Sequence, residues 1–268
     1  MSLITVEVES KVGWLVLNRP DKLNALSPEM MEEFDVALRQ LSENEDVSVI
    51  VIRGEGRSFS VGYDVSRHYD SPEETPYSLE DSFAIRSRIS RWLRVWQTPV
   101  PVIAAVQGHC LAGAMLLALC CDITVVARDA KIGGPKLPLG GGMIGPSNSW
   151  LLGTRKAREL SYVSGSSITG EEAVALGWAN HAVDAGELVE FTARMASVIA
   201  RTPRELLALK KRALNRVMDS QGFTESLLTS AEFDALAHHS RAVSDVRAMV
   251  ESIGLRDAIK QFEAGGLG

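Results

Sequence analysis

Three short apolar runs, Val47 to Arg53, Pro101 to Val106 and Ile123 to Ala127, limit what this chain can become more than any other feature of it. Each is continuous rather than alternating and too brief for a typical helix, the pattern of a strand covered on both faces. The stretches between them are long enough for crossover helices. The runs therefore predict a parallel sheet in an α/β layered fold with right-handed connections. Ahead of them, Val6 to Leu17 alternates β-branched or aromatic with polar residues around Lys11-Val12-Gly13, which predicts an opening hairpin. Ser27-Pro28-Glu29 reads as an N-cap followed by proline at the first helical position. The helix it opens runs to about Ser42 and carries Met30, Met31, Phe34, Ala37, Leu38 and Leu41 on its apolar stripe.

Asp64 to Glu80 holds few apolar residues and includes Pro72 and Pro76, so it is a candidate lid ahead of a helix from about Leu79 to Trp96. From about Glu187 onward the pattern is helical, with Leu206, Leu207, Leu209, Ala213, Val217 and Met218 on one apolar stripe.

A net charge of −6 with dispersed Lys and Arg argues against a nucleic-acid partner. Cys110, Cys120 and Cys121 are odd in number, and two are adjacent within an apolar run, which favours reduced thiols and a cytoplasmic location over a disulfide framework. The first residues alternate like a strand, so no signal peptide is expected. The apolar run Leu111 to Cys121 is too short to cross a bilayer, so no membrane partner is expected.

Gly140-Gly141-Gly142-Met143-Ile144-Gly145 has the spacing of a dinucleotide cradle, but Pro135 and Pro138 precede it where that motif needs a central strand. A close-packed or surface loop is the better reading. His109 and the cysteines match no zinc spacing, so no metal is expected. Trp92 and Trp96, a helical turn apart, suit a core or pocket wall.

Two segments point to chemistry. Arg57 to Asp64 follows a buried strand and turns at Gly62. In Val106 to Met115 a strand ends, the chain turns at Gly108, and a helix begins near Gly113. A helix N-terminus offers unpaired N–H groups and the positive end of a dipole, which suit an oxygen that becomes negative. Two such N–H groups aimed at one oxygen form an oxyanion hole, in which one donor supplies about 2.7–4 kcal/mol of transition-state stabilisation. A strand, glycine turn and helix are also a common structural joint.

The order of several motifs resembles the enoyl-CoA hydratase/isomerase (crotonase) superfamily over essentially the whole chain. The motifs are Leu17-Asn18-Arg19-Pro20 with Asn24-Ala25-Leu26, Phe59 to Asp64, Gln107-Gly108 through Gly113 with Cys121-Asp122-Ile123, and Leu176-Gly177-Trp178-Ala179-Asn180. Each is weak alone; in this order they are specific. The resemblance implies a spiral of repeated ββα units over residues 1–186, followed by a helical oligomerisation region over 187–268. It implies an acyl-CoA substrate, no cofactor apart from the coenzyme A of that substrate, and a homotrimer or dimer of trimers. The backbone N–H groups of Tyr63 and Gly113 would be the oxyanion donors. The backbone around Lys22, Leu23, Tyr63, Asp64 and Val65 would follow the coenzyme A.

The chain departs from the family at the two glutamates that hydratases use, where Leu116 and Lys136 stand. Leucine can neither activate water nor protonate carbon, and lysine at its ordinary pKa is a cation at neutral pH. The candidate replacements are Asp64, whose other role would be to cap the following helix, together with His68 and Tyr69 from the lid and the phenol of Tyr63. Lys136 would pair with a carboxylate of the acyl group or with a neighbouring Asp. The implied activity is hydratase- or isomerase-like chemistry, as a lyase or isomerase, through a stabilised enolate. Two alternatives are decarboxylation of a malonyl-type thioester, which reaches the enolate without a base, and acyl-CoA binding without catalysis.

Overall fold

The computed structural model describes residues 2–65, 78–140 and 145–265. The opening hairpin pairs β1 (Ile4–Glu9) with β2 (Val12–Leu17) antiparallel. Its turn lies at Ser10 and Lys11, both at positive φ, and Gly13 is within β2 rather than in the expected turn. The reason is packing. A Cβ on Gly13 would stand 2.7 Å from Leu41 Cδ2, so the glycine here serves close packing against Leu41 rather than a bend.

β3 (Val49–Gly54), β4 (Val102–Val106), β6 (Ile123–Ala127) and β9 (His181–Val183) continue the sheet in parallel, giving the order β1-β2-β3-β4-β6-β9. The three apolar runs are its centre, and their residues are almost all buried. A second sheet holds β5 (His109–Leu111), β7 (Lys131–Gly133) and β8 (Ser167–Thr169). The two units β4-β5-α3 and β6-β7-α4, where α3 is Gly113–Leu119 and α4 is Gly145–Tyr162, each send one strand to each sheet before a helix. Isolated bridges from Leu26 to Tyr63 and from Ser60 to Cys110 extend the small sheet toward the earlier part of the chain.

α1 (Pro28–Glu43) is capped by Ser27, whose side chain accepts from the Met30 N–H, and buries all six residues of the expected stripe. α2 (Ser78–Gln97) follows residues 66–77. Between β8 and β9 lies α5 (Gly170–Ala175), closed by a capping box between Thr169 and Glu172.

The helices α6 (Leu188–Ile199), α7 (Arg204–Ser220), α8 (Phe223–His238), α9 (Arg241–Ile253) and α10 (Leu255–Gly265) complete the chain. They are not a detached unit. Leu188 and Ala196 of α6 pack on the large sheet, and Phe223, Leu227, Ala231 and Ala235 of α8 lie in the main core with Trp92 and Trp96. On α7 the expected stripe faces mostly outward, since Leu206, Leu209 and Val217 are exposed together with Leu214. Its inner side presents Leu207 and Lys211. Lys211 is buried and donates to Val95 O, Thr98 Oγ1, Val100 O and, at 2.7 Å, Asp122 Oδ2. No described helix is long and apolar enough to cross a membrane.

Candidate active site

Two backbone segments meet where the sequence placed its two turns. The segment after β3 runs alongside β5: Ser60 N–H donates to His109 O at 2.9 Å, and Leu111 N–H donates to Ser60 O at 3.1 Å. On its other side Val61 N–H donates to Leu23 O and Leu26 N–H donates to Gly62 O. The Ser60 hydroxyl accepts from Gly62 N–H and donates to Asn24 O. These bonds fix Gly62 at φ +88°, a left-handed conformation that glycine adopts without penalty.

A Cβ on Gly62 would stand 2.7 Å from Leu111 O and 3.0 Å from Gly113 N, so the two segments touch at backbone level. The next residue, Tyr63, lays its ring on Gly113. A Cβ at Gly113 would meet Tyr63 Cε2 at 2.6 Å and Cδ2 at 2.8 Å.

Gly113 is the first residue of α3, so no carbonyl one turn earlier in the helix receives its N–H. Ala112 before it sits at φ 52°, ψ −123°, a conformation disfavoured for a residue with a Cβ. Its N–H donates to Gly133 O at 3.0 Å, so β7 helps hold the strained joint. At the base of the same turn Gly108 has φ +59°, and a Cβ there would lie 1.9 Å from Arg57 O.

The Tyr63 hydroxyl accepts from Trp92 Nε1 at 2.8 Å. Burial pushes the phenol up to about 12, more than the hydrogen bond from Trp92 and the charges of Arg88 and Arg91 lower it, with Asp234 adding to the rise. It therefore keeps its proton at neutral pH. Trp92 and Trp96 are both buried in the main core, one of the two places their spacing suited.

The other candidates fall as follows. The Asp64 carboxylate accepts from Arg19 Nη1 at 2.5 Å and ties this segment to the opening loop, and the residues it was expected to cap lie outside the described residues. Lys22 is exposed and Leu23 half-buried in that loop, next to Val61; Val65 is exposed. Leu116 is buried on α3 in the main core. Lys136 is exposed and pairs at 3.1 Å with Glu263 of α10 rather than with a neighbouring Asp. His68 and Tyr69 lie outside the described residues, as do residues 66–77 of the expected lid. Of the glycine-rich loop, Gly140 packs against Asp234, and residues 141–144 lie outside the described set. His109 Nδ1 is 3.0 Å from Ser58 Oγ, and its imidazolium is disfavoured first by burial and then by the charges of Lys131, Arg57 and Lys136.

Sequence reasoning missed a polar group on α2 and α8. His238 Nδ1 lies 2.8 Å from Asp81 Oδ2, and His238 Nε2 lies 3.8 Å from Asp234 Oδ2. Burial alone would raise the Asp81 carboxyl, but the hydrogen bond from His238 and the charges of His238, Arg88 and His239 outweigh it and hold Asp81 below its usual range. Asp81, Arg88 and Trp92 are spaced to share one face of α2, the available sequence signal; nothing local announces their partners on α8.

The enoyl-CoA hydratase/isomerase family model matches residues 7–253. A solved enoyl-CoA hydratase/isomerase from Xanthobacter autotrophicus Py2 is 31% identical, superposes with a TM-score of 0.90, and the match covers 98% of each chain. The short-chain-enoyl-CoA hydratase of Clostridium acetobutylicum is 28% identical over 249 residues, 87% of this chain and 92% of that one. The hydroxycinnamoyl-CoA hydratase-lyase of Pseudomonas fluorescens is 28% identical over 216 residues, 77% of this chain and 76% of its own. With its two interleaved sheets, its ββα units and these matches, the chain has the crotonase fold and belongs to the enoyl-CoA hydratase/isomerase family.

Proposed function

We propose that this protein binds an acyl-CoA thioester and holds the carbonyl oxygen between the backbone N–H groups of Tyr63 and Gly113 while the thioester passes through an enolate. The observation that carries this reading is the backbone contact of Gly62 with Gly113 N beneath the Tyr63 ring, at the first turn of α3. Donors on fixed backbone need no reorganisation as charge develops, and the helix N-terminus adds its dipole. Lys22, Leu23 and Val65 would follow the coenzyme A, Leu116 would line the acyl pocket, and Lys136 would stand at its rim. Relatives named for short-chain enoyl and hydroxycinnamoyl thioesters support an enoyl-CoA substrate. The outward stripe of Leu206, Leu209, Leu214 and Val217 supports assembly as a homotrimer or dimer of trimers through α7.

The test is optical. A conjugated dienoyl-CoA absorbs at longer wavelength when its carbonyl is polarised, so the purified protein should bind it with a red shift. Binding without a shift, or no binding, overturns the proposal. A panel of crotonyl-, longer enoyl- and malonyl-type CoA thioesters then separates hydration from decarboxylation.

A further inference from the structure

The packing of α2 against α8 changes character along its length. At one end it is apolar: Trp96 meets Phe223 with ring centroids 4.5 Å apart, and Ile89, Trp92, Leu227 and Ala231 are buried nearby. Because Phe223 opens α8 and His238 closes it, the Asp81–His238 contact at the other end makes the pair antiparallel. At that end carboxylates take buried positions, with Asp81 2% and Asp234 6% exposed. Hydrocarbon of similar volume stabilises a helix pair at least as well as buried ionisable groups, so packing does not explain them. Such a cluster beside a reaction site is a candidate for chemistry.

Its location fits. Asp234 is one helical turn nearer the apolar end than His238, and a Cβ on Gly140 would stand 2.6 Å from Asp234 Oδ1. Trp92, buried in the same helix pair as Ala231 one turn before Asp234, donates to the hydroxyl of Tyr63 at 2.8 Å, and the Tyr63 ring covers Gly113. Asp81 and His239 lie at the far end, where His239 Nε2 is 3.9 Å from Asp81 Oδ2, and Arg88 of α2 faces the same group.

We propose that Asp234 is the acid–base residue of the acyl site, in place of the carboxylates absent at Leu116 and Lys136, and that His238 and Asp81 are positioning residues that orient it and carry its proton. The proposal rests on the thioester reading above. In the step, an Asp234 carboxylate oxygen takes a proton from the acyl α-carbon. The C–H electron pair becomes the new C=C bond, and the carbonyl π pair moves onto the oxygen held by the two N–H groups. Asp234 is then a neutral acid, and it returns a proton to the α-carbon in the reverse step. In its neutral form, with Nδ1–H donated to Asp81, His238 would close the 3.8 Å from its Nε2 to Asp234 Oδ2, accept the Asp234 proton there and pass it to water.

The experiment follows exchange of the α-protons of butyryl-CoA in D2O by NMR, alongside the dienoyl-CoA shift. The natural protein should exchange them. Asp234→Asn should lose at least about a hundredfold in exchange rate while still shifting the dienoyl-CoA spectrum. Formate should restore part of the exchange in Asp234→Ala, a rescue that a purely structural role would not give. His238→Gln and Asp81→Asn should slow exchange with unchanged dienoyl-CoA affinity. Wild-type exchange rates in Asp234→Asn overturn the proposal, as does full exchange in His238→Gln for the relay. Should Asp234→Asn fail to fold, the formate rescue and the His238 variant decide. Absence of the red shift in the natural protein sinks the thioester reading; a red shift without exchange sinks this proposal alone.

Discussion

Gly113→Ala tests the contact on which the proposed site depends. The added Cβ would lie 2.6 Å from Tyr63 Cε2, 2.8 Å from Cδ2 and 3.1 Å from Cζ, so the ring has to move. Overpacking of this kind costs about 1–3 kcal/mol. Moving the ring also strains the 2.8 Å bond from Trp92 Nε1, a bond of about 0.5–1.5 kcal/mol. A central value of about 2 kcal/mol lowers Tm by roughly 4–8 °C in a chain of this size. A double-mutant cycle isolates the cause. In a Tyr63→Ala background no ring opposes the methyl, so Gly113→Ala should cost close to nothing, and the coupling energy should equal the clash, about 1–3 kcal/mol. Thermal denaturation of the four proteins, followed by circular dichroism, gives the cycle. Additive costs would refute the argument, because they would mean that the ring does not rest on Gly113.

Asp64→Ala leaves the Arg19 guanidinium without a carboxylate beneath the site; it should destabilise by about 2–4 kcal/mol in denaturant titration, less than for a fully buried pair because Arg19 is 17% exposed. Lys211→Met strands Asp122 and should cost about 3–5 kcal/mol, whereas Lys211→Met/Asp122→Asn should recover part of it in the same titration. Asp81 is held below its ordinary pKa in the folded chain, so its contribution is present above pH 3.8 and lost as the pH falls below that. Asp81→Asn should accordingly flatten the acid limb of a stability-against-pH curve, and an unchanged limb would contradict the assignment. Leu209→Lys/Leu214→Lys should shift sedimentation toward a smaller species if α7 carries the subunit interface.

Much of the frame was legible because its signals are local. Ser27 and Pro28 marked the start of α1, the spacing of its apolar residues gave its buried face, and Ile123 to Ala127 is a strand over the expected residues. The turns at Gly62 and Gly108 showed because both require positive φ. What escaped was long-range. The strands β5, β7 and β8 are three residues each, too short to carry a periodicity. Lys211 reads as a solvated charge until its partners, more than a hundred positions away for Val95, Thr98 and Val100, surround it. Asp81 and His238 are 157 positions apart, and Lys136 and Glu263 are 127 apart, so neither pairing leaves a mark in either local segment.

The two proposed backbone donors come from different stretches of the chain, Tyr63 from the one after β3 and Gly113 from the one after β5. Neither stretch would form the proposed hole by itself; the pair comes together only along the seam where the two are laced through Ser60, His109 and Leu111. On the proposed reading, the capacity to polarise a thioester would be a product of docking, and any partly folded state that opens the seam would lose it at once, whatever secondary structure it retains.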